Sequence, residues 1–118
     1  MSDNVSKFFT AWGDSNSASQ AATIAEALAV DARYADPRTE APLIGPEAVS
    51  NYVAQFAQMA PGAEVEAVDV SERDGVTRAT VEFRMANGMA QTGQYFVETD
   101  TAGKLSRLVG FVGTGTPN

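Results

Sequence analysis

The spacing of apolar side chains changes from about 3.6 residues to about 2 near Pro61-Gly62, and this change limits the possible folds more than any other sequence feature. Before that point apolar residues recur three and four positions apart, as on one face of a helix. After it they alternate with polar residues, as in strands that bury one face. This order predicts an α+β fold in which helices cover one face of an antiparallel sheet.

The first two helices are indicated by an apolar stripe and a capping motif. The apolar face of the first lies at positions i, i+3, i+4 and i+7, which are Val5, Phe8, Phe9 and Trp12. Gly13 then predicts its end. Ser17 with Gln20 three residues later forms a capping box, which predicts the start of the second helix.

A short strand and a third helix follow in the sequence. Asp31 to Asp36 predicts the strand, which ends there because Pro37 lacks the N–H group that a ladder needs. Gly45-Pro46 predicts the start of the third helix, since proline is favoured at the first helical position. Pro61-Gly62 predicts its end.

Four strands of an antiparallel meander are predicted at roughly 64–73, 76–86, 89–99 and 104–113. Asp74-Gly75 and Asn87-Gly88 are strong signals for two-residue hairpin turns. Such turns set the register and place Tyr95 on the outer face of the sheet. The face predicted to meet the helices then carries Val68, Val70, Ala79, Val81, Phe83, Met85, Thr92, Gln94 and Phe96, with Val81 opposite both Val68 and Gln94.

Charge and composition exclude several functions. A formal net charge of -7 disfavours nucleic acid and anionic membranes as partners. The absence of cysteine and histidine excludes disulfides, thiolate catalysis and a serine–histidine triad, so acid–base chemistry falls to Asp, Glu, Tyr or Lys. We expect neither a metal nor a cofactor. The polar N-terminus has no apolar signal region, so we expect a cytoplasmic protein.

The order of these elements resembles the nuclear transport factor 2-like (SnoaL-like, ketosteroid isomerase-like) superfamily along almost the whole chain. The two segments most similar to it are ARYADPRTEAPLIGPEAVSNYVAQF (32–56) and GQYFVETDTAGKLSRLVGF (93–111). The resemblance implies one domain, residues 1–118, shaped as a cone-shaped α+β barrel (a cystatin-like roll) around an apolar pocket. It also implies a homodimer. Because this superfamily contains cyclases, isomerases, dehydratases and non-enzymatic domains, the fold does not select a function.

Asp36 is the candidate catalytic residue. Ketosteroid isomerase carries its general base in an Asp-Pro pair at the end of this strand, and Asp36-Pro37 matches that motif. An apolar surrounding penalises the charged form of a carboxylate, which suits proton abstraction. The alternative is that Asp36 only initiates a turn and binds backbone N–H groups nearby.

The remaining isomerase site does not carry over. That enzyme also holds the developing enolate with a tyrosine and a protonated aspartate. The corresponding positions are Phe8, which has no donor, and Gln94, which is a weaker one. Steroid isomerisation is therefore disfavoured.

A small apolar ligand is expected in the pocket. Tyr34 leaves the same strand face as Asp36, so it either binds a ligand or tunes Asp36, or is a core tyrosine with its hydroxyl at the rim. The candidate ligand-binding residues are Phe8, Trp12, Tyr34, Tyr52, Phe56, Val81, Phe83, Gln94 and Phe111. Aromatic residues at helical and strand spacing are most often simply core, which is the alternative for the aromatic ones among them.

Three classes of function stay open at this point. The first is a cofactor-independent isomerase, cyclase or dehydratase that uses Asp36 as general acid or base. The second is a non-catalytic protein that binds an apolar ligand in the same pocket. The third is a dimerisation module. The sequence does not decide whether the protein is an enzyme.

Overall fold

A computed structural model of the protein describes residues 3–113. The helices are α1 (Asp3–Ala11), α2 (Ser17–Ala27) and α3 (Pro46–Met59). The strands are β1 (Leu28–Ala35), β2 (Leu43–Ile44), β3 (Glu64–Arg73), β4 (Val76–Arg84), β5 (Ala90–Thr99) and β6 (Leu105–Val112). Only β2, two residues long, was not predicted. The sequence from Gly113 to Asn118 is a short tail of low complexity, and residues 114–118 of it lie outside the described residues.

The predicted apolar face of α1 is confirmed, because Val5, Phe8, Phe9 and Trp12 are all buried. α3 begins at Pro46 as predicted, and Gly45 before it has a φ of 89°, which glycine adopts without strain. Val49 and Val53 are the buried residues of α3. No helix within residues 3–113 is long and apolar enough to cross a membrane.

Asn16, and not Ser17, is the N-cap of α2. Its side-chain oxygen accepts a hydrogen bond from Ser19 N at 2.9 Å, and Ser17 is the first helical residue. Gln20 does not form the predicted capping box. Its buried side chain donates instead to Ala11 O at 3.0 Å, so it connects α2 to the end of α1.

The three helices pack against a curved, unclosed sheet of strand order β2-β1-β6-β5-β4-β3, which confirms the α+β fold class. β3 to β6 form the predicted antiparallel meander. The sheet as a whole is mixed, because β1 pairs parallel with β6. A parallel pair needs a long crossover, and here α3 and the meander supply it.

The register of the first hairpin is largely confirmed. Asp74 and Gly75 both have positive φ values, 55° and 78°, as a two-residue type I′ turn requires. Val70 lies opposite Ala79 as predicted. The prediction for Val68 was wrong, because the register shifts between Ala67 and Asp69 and Ala67 takes the place opposite Val81.

The predicted register of the second hairpin was wrong by one residue. Gly88 has a φ of 93°, whereas Asn87 is not among the described residues with positive φ. Met85 N donates to Met89 O at 2.7 Å, so three residues form the loop instead of two. A shift of one residue exchanges the two faces of a strand.

The shift places Val81 opposite Gly93 and Thr80 opposite Gln94. Tyr95 therefore faces the helices and is buried, 4% exposed. Gln94 faces outwards, where its Oε1 accepts a hydrogen bond from Thr80 Oγ1 at 2.9 Å. Phe96 also lies on the outer face, 43% exposed.

Candidate functional site

The Asp36 carboxylate closes a tight turn at the end of β1. Its Oδ1 accepts hydrogen bonds from Arg38 N at 2.8 Å and Thr39 N at 3.2 Å. The Thr39 hydroxyl in turn accepts from Asp36 N at 3.1 Å. This is the turn role that the sequence analysis gave as the alternative for Asp36.

The same carboxylate is also bound by two tyrosine hydroxyls. Tyr34 donates to Asp36 Oδ2 at 2.7 Å. Tyr52, from α3, lies within hydrogen-bonding distance of both oxygens, 2.9 Å from Oδ1 and 2.7 Å from Oδ2. Two charge-assisted hydroxyl donors offset much of the cost of holding a carboxylate beside apolar side chains. Asp36 is thus both a turn residue and the acceptor of a polar cluster.

A third tyrosine extends this cluster into the core. The Tyr95 hydroxyl oxygen lies 3.1 Å from that of Tyr34. All three tyrosines of the chain, Tyr34, Tyr52 and Tyr95, therefore belong to one hydrogen-bonded group around Asp36. This group is named here the tyrosine cluster. The sequence analysis missed Tyr95, because the register error placed it on the outer face.

Burial raises the pKa of all three tyrosines above the ordinary value of 10.0. For Tyr34, repulsion from Tyr95 and Asp36 raises the pKa further. For Tyr52, the hydrogen bond to Asp36 is the second cause of the raised pKa. The tyrosines therefore remain neutral hydrogen-bond donors at and well above neutral pH.

Aromatic rings surround the nonpolar side of the tyrosine cluster. The ring centroid of Trp12 lies 6.2 Å from that of Tyr34, 6.0 Å from Tyr52, 5.3 Å from Phe56 and 5.7 Å from Phe83. Tyr52, Phe56 and Phe83 are partly exposed, whereas Trp12 and Tyr34 are buried. These five rings are named here the aromatic group.

The indole N–H of Trp12 is buried and has no acceptor among the described residues. Such an unpaired donor is uncommon in a protein interior. The Trp12 ring that carries this N–H lies within 6.2 Å, centroid to centroid, of the other four rings of the aromatic group.

Most of the predicted pocket residues meet in this region. Five of them form the aromatic group. Phe8, whose ring centroid is 6.2 Å from that of Tyr34, and the buried Val81 belong to the same core cluster. Gln94 and Phe111 do not belong there, because both lie on the outer face of the sheet. The two positions that correspond to the enolate donors of ketosteroid isomerase therefore supply no donor beside Asp36: Phe8 has no polar group, and Gln94 lies on the opposite face of the sheet.

Two surface grooves lie away from Asp36, and of the two only the second has a residue of the aromatic group in its wall. The first, about 690 Å³, runs between α1 and β3 and is lined by charged residues that include Lys7, Glu64 and Arg84. The second, about 440 Å³, lies at the C-terminal end of α3, and Trp12 contributes to its wall.

Comparison with known proteins supports the fold. The SnoaL-like domain model matches residues 5–108. An isomerase candidate of the SnoaL-like family from Agrobacterium tumefaciens has a similar structure, with a TM-score of 0.82, 21% identity and 92% of each chain covered. No protein with a curated description is significantly similar in sequence.

Two further solved structures are similar. A protein of ketosteroid isomerase-like fold from Catenulispora acidiphila, in complex with trimethylamine, has a TM-score of 0.76 at 15% identity, covering 92% of this chain and 83% of that one. A polyketide cyclase candidate from Sinorhizobium meliloti has a TM-score of 0.74 at 18% identity, covering 93% and 94%. At these identities the likeness establishes the fold alone.

Proposed function

The chain belongs to the SnoaL-like domain family, and on that basis we propose that it is a cofactor-independent isomerase or cyclase that moves a proton on a small, largely apolar molecule. Asp36 is the general acid–base of this reaction. The observation that carries the proposal is the position of its carboxylate, bound by the hydroxyls of Tyr34 and Tyr52 beside the aromatic group.

The chemistry needs only residues of this chain. A substrate carbonyl compound binds against the partly exposed rings of Tyr52, Phe56 and Phe83. The Asp36 carboxylate removes a proton from the carbon next to the carbonyl, and the electron pair forms an enolate. In an isomerase Asp36 returns the proton to a different carbon. In a cyclase the enolate carbon attacks a second carbonyl of the same molecule, whose oxygen becomes an alkoxide and takes the proton back from Asp36.

Tyr52 has a role in stabilising the enolate. Its hydroxyl is shared between both Asp36 oxygens while the carboxylate is charged. Once Asp36 has taken the substrate proton, it is a weaker acceptor, and the Tyr52 hydroxyl is free to donate to the enolate oxygen. The unpaired N–H of Trp12 is a second donor within the same group.

Exchange of substrate protons with solvent tests this proposal whatever product the reaction gives. Cyclic ketones, lactones and aromatic ketones are incubated in D₂O, and loss of the α-proton signal is followed by NMR. We expect Asp36→Asn to slow the exchange by about 10²–10⁴-fold, the usual contribution of a general base. The asparagine Oδ1 still accepts from Arg38 N and Thr39 N, so the turn is retained.

Thr39→Val is the matched control, because within residues 3–113 the hydroxyl that it removes binds only the backbone of Asp36. It should leave the exchange rate within a few-fold of the wild-type value, provided the fold is intact by circular dichroism. Equal exchange rates in the wild-type protein and Asp36→Asn would refute a catalytic role for Asp36.

Non-catalytic binding is the second candidate, and one observation favours it. Asp36 already accepts hydrogen bonds from Arg38 N, Thr39 N and two hydroxyls, so both of its carboxylate oxygens are occupied by donors of its own chain. Trp12 is the only tryptophan of the chain, so its fluorescence reports binding directly. Small amines belong in this screen as well, because the similar Catenulispora acidiphila protein is in complex with trimethylamine. This candidate would be favoured by ligands that change Trp12 emission equally in the wild-type protein and in Asp36→Asn and that show no proton exchange.

A further inference from the structure

Gly110 lies directly opposite Tyr95 in the β5–β6 pair. A Cβ atom at position 110 would lie 2.6 Å from Tyr95 Cε2 and 2.9 Å from Cζ, distances that real Cβ contacts do not show. Gly110 is not among the described glycines with positive φ, so its backbone does not require glycine. The tyrosine ring occupies the space that a side chain would need.

The ring of Tyr95 is held in this position from other sides too. Its centroid lies 4.6 Å from that of Phe9. Gly93 lies at its other edge, where a Cβ atom would be 3.5 Å from Tyr95 Cε1, an ordinary contact, and its one tight contact, 3.3 Å, would be with the backbone oxygen of Phe111 and not with the ring. Of the two glycines beside the ring, only Gly110 is sterically required for its position.

The direction of the hydrogen bonds in the tyrosine cluster follows from the donors available. An ionised carboxylate only accepts, so Tyr34 gives its single hydroxyl proton to Asp36. The proton between Tyr34 and Tyr95 must then come from Tyr95. A hydroxyl that accepts one hydrogen bond becomes a stronger donor in the next, because the bonds polarise one another.

We propose that Gly110 and Tyr95 form a positioning pair, in which the absence of a side chain at Gly110 lets Tyr95 donate to Tyr34 and so strengthens the hydrogen bond from Tyr34 to Asp36. Neither residue touches the reacting atoms. The consequence for turnover rests on the proposed function of Asp36, whereas the hydrogen-bond geometry does not.

Gly110→Ala tests the steric part, with Gly93→Ala as the matched control. Buried tyrosine hydroxyl protons that exchange slowly with water are observed by NMR, and a chain with three tyrosines gives few signals to assign. In Gly110→Ala we expect the Tyr95 hydroxyl signal to disappear and the Tyr34 signal to move upfield. In Gly93→Ala both signals should stay in place. Unchanged signals in folded Gly110→Ala would overturn the proposal.

Tyr95→Phe tests the direction of the hydrogen bond and retains the ring. If Tyr95 donates to Tyr34, its removal weakens the hydrogen bond from Tyr34 to Asp36, and the Tyr34 hydroxyl signal moves upfield. A downfield shift would show that Tyr34 had been donating to Tyr95, which overturns the proposal. This variant decides the question even if Gly110→Ala does not fold.

The effect on turnover is measured with a substrate found by proton exchange. We expect Tyr95→Phe and Gly110→Ala each to lower kcat with KM unchanged, and the double variant to lower it no further, because both act on one hydrogen bond. A normal kcat in both variants would overturn the positioning role. If the single variant Asp36→Asn keeps its activity, the proposed function of Asp36 is wrong. The NMR signals still test the hydrogen bonds between Tyr95, Tyr34 and Asp36 in that case.

Discussion

Tyr34 and Tyr95 are buried neutral phenols, and this gives the protein a sensitivity to alkali that ordinary surface tyrosines do not confer. Both pKa values are raised above 10.0, with burial as the largest cause. The unfolded chain releases these protons near pH 10, whereas the folded chain keeps them. Unfolding is therefore coupled to proton release above that pH.

The free energy of unfolding must therefore decrease as the pH rises above about 10. The stability contributed by these two tyrosines is fully present below about pH 10 and is lost as the pH rises further, by up to about 1.4 kcal/mol per pH unit for each tyrosine. We expect urea unfolding to show this decline, and tyrosinate absorbance to rise together with loss of the fold. The variant Tyr95→Phe should show a smaller slope. Gradual ionisation of all three tyrosines near pH 10 in a protein that stays folded would contradict the prediction.

At the scale of the elements, the sequence predicted the helices and strands but not every contact between them. Apolar spacing, together with the glycine and proline signals at helix ends and turns, was enough for α1, α3 and the four strands of the meander. It also identified Asp36 and Tyr34 on one strand face. The register of β5 could not be obtained from Asn87-Gly88, because this pair fits both a two-residue loop and a three-residue loop that ends in a glycine of positive φ, such as Gly88 here. That single difference placed Gln94 in the predicted pocket instead of Tyr95.

The start of α2 provides a prediction at this scale. Asn16 caps the helix by accepting from Ser19 N, whereas Ser17 makes no capping hydrogen bond among the described residues. We expect Asn16→Ala to lower the free energy of unfolding by about 1 kcal/mol, as is typical for loss of an N-cap.

Ser17→Ala is its matched control and should change stability by less than about 0.5 kcal/mol, because it lies at an exposed helical position. Both variants are compared by urea denaturation at neutral pH. A larger loss in Ser17→Ala than in Asn16→Ala would show that the capping box predicted from the sequence is the one that forms.

At the scale of the whole molecule, the outer face of the sheet carries an exposed apolar patch. Phe96 and Phe111 are 43% and 53% exposed, and their ring centroids lie 5.8 Å apart. Arg78 on β4 lies opposite Phe96 on β5. Glu82 lies four residues after Arg78 on β4 and therefore on the same outer face. Exposed aromatic residues with charged neighbours of both signs are typical of protein interfaces.

We propose that this patch pairs with the same patch of a second copy to form a homodimer. Two-fold symmetry brings each patch against itself, so Phe96 and Phe111 of one copy can pack on those of the other. Arg78 and Glu82 supply charges of both signs at the rim, where pairs between the copies add little energy because Glu82 already binds Arg84 of its own chain at 2.6 Å. A second copy is the occupant best suited to this face, because its charges and rings complement themselves.

Sedimentation equilibrium at micromolar concentration tests the homodimer. We expect the wild-type protein to have twice the mass of the chain. Phe96→Glu should weaken association at least about 30-fold, since loss of a central aromatic residue commonly costs about 2 kcal/mol and the new carboxylate would be buried without a partner. Met59→Glu is the matched control, because Met59 is an equally apolar residue, 78% exposed, on α3 and away from the outer face. Its dissociation constant should equal that of the wild-type protein. A wild-type monomer at high micromolar concentration would rule out the homodimer, and equal weakening by both variants would place the interface elsewhere.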